Sequence, residues 1–199
     1  MMGFFSIFAL PRSRTAWMSN WLTTDNSTCL HEFSNGAKDG LWDFIQSIES
    51  DFVGISEPGL EALDYIPSDV LMTFPMVIIK QDAAFSFKKC LSAWPSIYSG
   101  ENIRNVLKNI LNQWSDVLDK LSQCENCKTF YEHDLNDLNV LSEIWEYLLP
   151  DIKHNKLRTK LLMEIDMSVK YRTIDQGYQM IKRQKETISA IRSMPWEWA

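Results

Sequence analysis

The stretch FFSIFALPRSRTAW, residues 4–17, decides how this chain is interpreted. Its first six residues form a short apolar run, which is typical of a buried strand. A basic turn follows, and residues 15–22 have the apolar spacing of a helix. Backbone N–H groups and the positive dipole end of a helix N-terminus bind anions. The order strand, basic turn, helix therefore predicts a phosphate or sulfate site at Arg12, Ser13, Arg14 and Thr15, with a solvated turn capped by Ser13 as the alternative.

Short apolar runs alternate with helical patterns along the rest of the chain. Beside the strand at 4–9, strands are predicted at 28–33, 52–55, 76–79 and 129–132, and helices at 15–22, 41–48, 60–65, 83–94, 103–121, 138–149 and 157–165. This alternation predicts crossover connections and an α/β fold of three layers, with a mainly parallel sheet of about five strands. We expect one domain over residues 1–199, with a core at about 3–165 and a helical C-terminal extension at about 166–199.

Composition restricts the classes of partner. The 199 residues carry 20 basic and 26 acidic side chains, a net charge of −6, which argues against nucleic acid as a ligand. No run approaches the roughly 18 apolar residues of a membrane span. The apolar N-terminus lacks the basic segment and the small-residue cleavage site of a signal peptide. We therefore expect a cytoplasmic protein with no membrane partner.

The basic turn resembles a known phosphate-binding loop. Pro11-Arg12-Ser13-Arg14-Thr15-Ala16-Trp17 matches five of the seven positions of P-[KR]-S-G-T-T-W, the 5′-phosphosulfate loop of the sulfotransferases. The likeness is to small sulfotransferase-like P-loop proteins of bacteria and their phages. It implies a sulfotransferase-like P-loop fold and 3′-phosphoadenosine 5′-phosphosulfate (PAPS) as co-substrate, with 3′-phosphoadenosine 5′-phosphate (PAP) as product, and no metal. Arg12 would then be both a catalytic and a nucleotide-binding residue.

The resemblance also assigns nucleotide contacts. The 5′-phosphate would be held by Arg12, Ser13, Arg14, Thr15 and Ala16, and the tryptophan that follows them, Trp17, would stack on adenine. Lys80, after the strand at 76–79, stands where the family places the arginine that contacts the 3′-phosphate. The family's serine is absent at its spacing in the next helix, where Lys88 stands, and Ser86 is the nearest hydroxyl. The chain also departs from the family pattern elsewhere, because Arg14 replaces a glycine, Ala16 replaces a threonine and Lys80 replaces an arginine.

His31 and Glu32 end the second predicted strand, at the ligand edge of the sheet. A base at this edge would remove the proton of a hydroxyl or amine acceptor. Because successive strands tend to be neighbours, we expect this strand beside the first. Strand alternation lets at most one of the two side chains enter the crevice, and the unperturbed pKa of histidine favours His31. The alternative is a hydrogen-bonded pair that closes a loop.

Cys124 and Cys127 have C-x-x-C spacing, but zinc needs two further ligands and the sequence offers no second pair. Reduced thiols or an occasional disulfide are the expectation. Two functions remain open from the sequence. One is a PAPS-dependent sulfotransferase that acts on a hydroxyl or amine. The other is a catalytically inactive sulfotransferase-fold interaction protein, a phage or bacterial effector that binds a host protein, with a protein partner or homodimer through the C-terminal helix.

Overall fold

The fold is built on a sheet of five parallel strands in the order β2-β3-β1-β4-β5. The computed structural model describes residues 3–32 and 41–164. The expected helical extension at 166–199 and the end of the second predicted strand, Phe33, lie outside the described residues. The strands are β1 Gly3–Ala9, β2 Ser27–His31, β3 Phe52–Glu57, β4 Met76–Lys80 and β5 Cys127–Tyr131. The expectation of a mainly parallel sheet of about five strands is confirmed.

Helices connect and follow the strands. They are α1 Thr15–Leu22, α2 Leu41–Gln46, α3 Ser68–Thr73, α4 Ala83–Ala93, α5 Glu101–Leu121, α6 Leu138–Leu148 and α7 Lys156–Met163, with single 3-10 turns at Glu61–Asp64 and Glu132–Asn136. The other predicted helices in the described ranges are present, within a few residues at their ends, whereas the one predicted at 60–65 is the 3-10 turn Glu61–Asp64. The pattern missed α3, whose six residues are too few to show a helical period. No helix in the two described ranges combines the length and apolar character needed to cross a bilayer.

Two separate hydrophobic cores cover the two faces of the sheet. On one face, Phe8 and Ile78 pack with Leu111 and Leu118 of α5. On the other face, the strand residues pack with α1 and α6, whose largest buried side chains are Trp21 and Trp145. Alternate strand residues therefore face opposite layers, as period-two geometry requires. Each fully buried Leu or Phe contributes about 1.5–3 kcal/mol relative to an exposed one.

The expectation that β2 lies beside β1 is wrong, because β3 lies between them. β3 pairs with β1 from Gly3↔Phe52 to Phe8↔Glu57, and β2 pairs only with β3 and forms the edge of the sheet. Gly54 lies directly opposite Phe5, and the Phe5 ring covers the space that a side chain at position 54 would need. An aromatic ring over a glycine thus fixes the pairing of these two strands.

The chain changes layers at the carboxyl end of β1. After β1 it enters α1, which packs on one face, whereas after β3 and β4 it enters α3 and α4, which pack on the other. Neighbouring connections that leave on opposite faces open a crevice beyond the strand ends. The crevice lies directly at residues 11–14, the turn that the sequence singled out.

Candidate phosphate loop and adjoining cavity

Backbone conformation marks the loop after β1. Among the described residues, three that are not glycine have positive φ: Arg12 at 68°, Arg14 at 65° and Glu32 at 51°. Such residues cost about 1–3 kcal/mol each and cluster at functional sites. All three follow a strand at the carboxyl edge of the sheet. The strained backbone of the described chain is therefore concentrated at one place.

The N-terminus of α1 has no side-chain cap. Arg14 is its N-cap residue and makes no capping hydrogen bond. Instead, Arg14 Nη1 donates to the carbonyl of Leu135 at 3.1 Å, and its guanidinium lies over the Trp17 ring at 5.9 Å. The first N–H groups of α1, at the positive end of the helix dipole, therefore have no side-chain acceptor from the N-cap residue. An oxyanion can accept their hydrogen bonds.

Ser13 is fully buried in this loop. Its Oγ makes no hydrogen bond within the part of the chain that the structure describes. A buried polar group without a partner costs about 1–3 kcal/mol. An oxyanion seated in the loop would accept a hydrogen bond from this hydroxyl and remove that cost.

Side chains from α4 and the preceding turn hold the carbonyls of the loop. Ser86 Oγ donates to the carbonyl of Pro11 at 2.8 Å, and Lys89 Nζ contacts the carbonyl of Arg12 at 3.3 Å. Lys89 also donates to Gln81 Oε1 at 2.9 Å and lies 3.3 Å from Glu132. The loop is therefore positioned from the outside. Ser86, predicted as a 3′-phosphate contact, acts here as a support of the loop.

Of the remaining loop residues, Thr15 and Trp17 contact neighbouring elements, whereas Arg12 is exposed. The carbonyl of Thr15 accepts a hydrogen bond from Ser56 Oγ at 2.9 Å. Trp17 stacks on Trp21 with ring centroids 5.3 Å apart and donates from Nε1 to the carbonyl of Leu162. Arg12 is exposed, with its guanidinium 5.4 Å from the Trp94 ring. Arg12 is thus the loop cation that is exposed at the surface, while Ala16 lies in the first turn of α1.

A cavity of about 320 Å³ adjoins the loop, between the strand ends and helices α4 and α5. Pro11 lines it on the loop side. Two residues with carboxylate side chains, Glu32 and Glu57, also line the cavity, and the sequence analysis did not single out Glu57. The signal was present, because Glu57 ends a strand at the ligand edge, but the strand was expected to stop at Ile55. Three aromatic residues also line the cavity: Trp94, Tyr98 and Trp114.

His31 and Glu32 take different positions. Glu32 lines the cavity, whereas His31 is 3% exposed and its Nδ1 lies 2.9 Å from the carbonyl of Ser56. Since a carbonyl only accepts, Nδ1 carries a hydrogen, and Nε2 lies 3.6 Å from Glu32 Oε1. The sequence analysis favoured His31 as the residue in the crevice. The structure places Glu32 there, because the hydrogen bond to β3 holds His31 against the sheet.

Lys80 lies apart from the loop contacts. Its Nζ pairs with Asp119 of α5 at 2.7 Å, and both side chains are partly exposed. The structure therefore brings Arg12, Ser13, Arg14, Thr15, Glu32 and Ser86 to one crevice, and directs Lys80 toward α5.

The cysteines are reduced thiols. Cys90 borders the cavity, and burial raises the pKa of its thiol while the Arg12 charge opposes the rise. Burial also raises the pKa of Cys127 to about 11. Neither thiol has the lowered pKa of a nucleophile. Within residues 3–32 and 41–164, no group of three His, Cys, Asp or Glu side chains is arranged to hold a metal ion.

Comparison with protein-family models finds no matching family, and no curated protein matches the sequence. The geometry of the loop and the cavity is therefore the basis for a functional assignment.

Proposed function

We propose that this protein is a sulfotransferase that binds PAPS at the loop after β1 and transfers its sulfuryl group to a hydroxyl or amine. One observation carries the proposal. The loop contains two arginines with left-handed backbone conformation and a buried Ser13 hydroxyl that has no hydrogen-bond partner among the described residues. It leads into a helix N-terminus that has no side-chain cap, at the crevice of a parallel sheet. The Ser13 hydroxyl and the uncapped N–H groups cost free energy that a bound anion would recover, and the strained backbone is of the kind that clusters at functional sites.

On the nucleotide side, the N–H groups that begin α1, the Ser13 hydroxyl and Arg12 hold the 5′-phosphosulfate. Charge builds on the bridging oxygen as its bond to sulfur breaks. Positive groups fixed around that oxygen stabilise the transition state without reorganising. Arg12 is suited to this task because its guanidinium is exposed at the loop.

On the acceptor side, the substrate lies in the cavity next to Pro11. Its oxygen or nitrogen attacks sulfur in line, forming the new S–O or S–N bond while the S–O bond to the 5′-phosphate breaks. PAP leaves with that electron pair, and Glu32 takes the proton of the acceptor. Nε2 of His31, 3.6 Å from Glu32, positions the carboxylate and is able to share that proton.

The 3′-phosphate contact falls to Lys80. Its ion pair with Asp119 is partly exposed, and such pairs contribute only about 0–1 kcal/mol. A nucleotide phosphate carries more charge than one carboxylate, so exchange of Asp119 for the phosphate is favourable.

Calorimetric titration with PAP, AMP and ATP tests the proposal. We expect PAP to bind at least tenfold more tightly than either of the others. Lys80→Ala should remove most of that preference. Lys128→Ala, which changes an exposed lysine paired with Glu143, is the matched control and should preserve it. Equal binding of all three nucleotides, or no binding, would contradict the sulfotransferase assignment and leave the fold unaffected.

The alternative is an interaction protein on the same fold, and one surface favours it. Ile97 and Val106 are each 57% exposed and Ile103 is 48% exposed, on the α4–α5 connection and the first turns of α5. Exposed apolar side chains close together mark interaction sites. This function predicts a protein without transferase activity in which Arg12→Ala leaves partner binding intact, whereas Val106→Asp abolishes it.

A further inference from the structure

We propose that Met72, Cys124 and Cys127 form a site for a soft monovalent metal ion, Cu(I), held by three sulfur atoms. The cluster lies at the amino-terminal edge of the sheet, where Cys127 begins β5 beside Met76, the first residue of β4. The candidate phosphate loop follows β1 at the opposite, carboxyl edge. The metal site is therefore separate from the proposed nucleotide site and does not depend on the proposed function.

Two of the sulfur atoms have the separation of ligands to one metal ion. Cys124 Sγ lies 4.0 Å from Met72 Sδ, although the two residues are 52 positions apart in the chain. With metal–sulfur bonds of about 2.3 Å, the length of a zinc–thiolate bond, trigonal geometry places two ligand sulfurs about 4.0 Å apart. The observed separation matches this distance.

The turn between the cysteines brings the third sulfur to the same region. The backbone N–H of Cys127 donates to the carbonyl of Cys124 at 3.0 Å, which closes a tight turn over the two residues between them. Burial raises the pKa of the Cys127 thiol to about 11, and the charge of Cys124 acts in the same direction, so the two thiols are close enough to interact. Both cysteines are reduced and can serve as ligands.

Asn126, inside this turn, fixes the methionine relative to the cysteines. Its Nδ2 donates to the carbonyl of Leu71 at 2.7 Å and to that of Phe74 at 2.6 Å, on either side of Met72 in the chain. These two bonds hold the end of α3 against the turn, so the backbone of Met72 is positioned before any metal binds. Ligands that are fixed in advance bind with a smaller loss of entropy.

The chemistry of the three ligands selects the metal. Structural zinc takes four ligands in a tetrahedron, from thiolates, imidazoles or carboxylates, whereas this cluster has two thiols and a thioether. Thiolate and thioether sulfur select Cu(I). As the ion binds, each thiol releases its proton to solvent and forms a copper–sulfur bond, and the thioether binds through a lone pair of its sulfur. The copper remains Cu(I), so the step needs no oxidant or reductant.

The surroundings suit this complex. Two thiolates around one Cu(I) carry one net negative charge, and the positive charge of Lys80, which acts to lower the pKa of the Cys127 thiol, offsets it. Met72 is 56% exposed and Cys124 is partly exposed, so a metal ion reaches the sulfurs from solvent.

Anaerobic titration of the reduced, intact protein with Cu(I) tests the proposal, with the coloured Cu(I) chelator bicinchoninate as competitor. We expect the protein to take one equivalent of Cu(I) from the chelator, and to bind Zn(II) at least a hundredfold more weakly in a parallel titration. X-ray absorption at the copper edge should show three sulfur neighbours at about 2.3 Å. No uptake of Cu(I), or equal affinity for Zn(II), overturns the proposal.

Variants locate the site. Cys124→Ser should abolish Cu(I) uptake, and Met72→Leu should weaken Cu(I) binding at least tenfold and reduce the sulfur neighbours from three to two. Met163→Leu, at a partly buried methionine that ends α7, is the matched control and should change neither. Circular dichroism checks the fold, and if Cys124→Ser does not fold, Cys127→Ser serves the same purpose. Uptake that persists in the folded serine variant, or affinity unchanged in Met72→Leu, overturns the three-sulfur site.

Discussion

At the scale of single residues, two arginines with the same backbone conformation have different tasks. Arg12 and Arg14 both have φ near 65–68°, yet Arg14 is held by the carbonyl of Leu135 and by Trp17, whereas Arg12 is exposed beside Trp94. The side chain of Arg14 fixes the loop to the 3-10 turn after β5. Under the proposed function, Arg12 contacts the nucleotide. Substitution should therefore separate folding at Arg14 from binding at Arg12.

Arg12→Ala should weaken PAP binding by about 1.5–3 kcal/mol, the cost of a lost charged hydrogen bond. The fold should be retained, because the side chain is exposed and contributes little to either core. Lys88→Ala, which removes an equal charge from an exposed position on α4, is the control and should leave affinity unchanged. Calorimetry gives the affinities and circular dichroism the folding. Affinity that survives in Arg12→Ala would place the nucleotide elsewhere.

Arg14→Gly should be more stable than Arg14→Ala by about 0.5–1 kcal/mol. Both variants lose the bond to Leu135, but only glycine adopts φ of 65° without strain. The difference persists although glycine has the larger entropy in the unfolded chain. Urea unfolding of the two variants measures it. An alanine variant equal to or more stable than the glycine variant would mean that the loop relaxes to another conformation.

At the scale of elements, the local sequence pattern predicted most of the helices and strands, but it did not predict which strands pair. The apolar run at 4–9 and the long stripe at 103–121 lie within single segments, and β1 and α5 are found there. The position of β3 between β2 and β1 depends on contacts such as Phe5 over Gly54, between residues distant in sequence. That strands consecutive in the chain lie side by side is only a tendency, and in this sheet the packing of buried strand residues outweighs it.

The candidate site also has one part that the local sequence reveals and one part that only the fold brings together. The phosphate loop is contiguous, so its residues could be listed from the sequence. The cavity draws Glu32, Glu57 and Trp114 from three separate segments, and only the sheet order brings them together. Trp114 belongs to a regular apolar stripe, which indicates core packing and conceals its position on the cavity wall.

Gly54→Ala should destabilise the sheet by about 1–3 kcal/mol, the usual cost of overpacking a core. An added Cβ would overlap carbons of the Phe5 ring, which has no space into which to move, because Phe5 is fully buried. Gly100→Ala is the matched control, since its Cβ would meet only Ile103, at an ordinary 3.8 Å. Thermal unfolding should show a large decrease for the first variant and a small one for the second. Equal decreases would argue against the pairing of Phe5 with Gly54.

At the scale of the whole molecule, the free energy of unfolding should depend on pH through His154, which lies between α6 and α7. His154 lies between Ser142 Oγ at 3.0 Å and Thr159 Oγ1 at 2.7 Å, and its ring stacks on Trp145. Burial lowers the pKa of His154 below its ordinary value of 6.5, with Lys156 acting in the same direction. The folded protein therefore binds fewer protons at this histidine than the unfolded chain does.

The sign follows from that difference. The free energy of unfolding should be highest above pH 6.5 and should fall as the pH decreases through 6.5 toward the lower pKa of the folded state. His154→Gln should be less stable at pH 7.5 but should lose less stability between pH 7.5 and 5. Urea unfolding across this range measures both slopes. Identical slopes in the two proteins would show that His154 does not control the acid response.

The placement of β1 at the centre of the sheet has a consequence for synthesis on the ribosome. β1 is made before both of its partners, because β3 and β4 begin only at Phe52 and Met76. At about 5–20 residues per second, several seconds pass before both partners leave the exit tunnel. Throughout that interval an apolar strand has no ladder to join, and sheets built from distant segments close slowly. This nascent chain is therefore a natural client for a chaperone that binds short hydrophobic segments as they emerge.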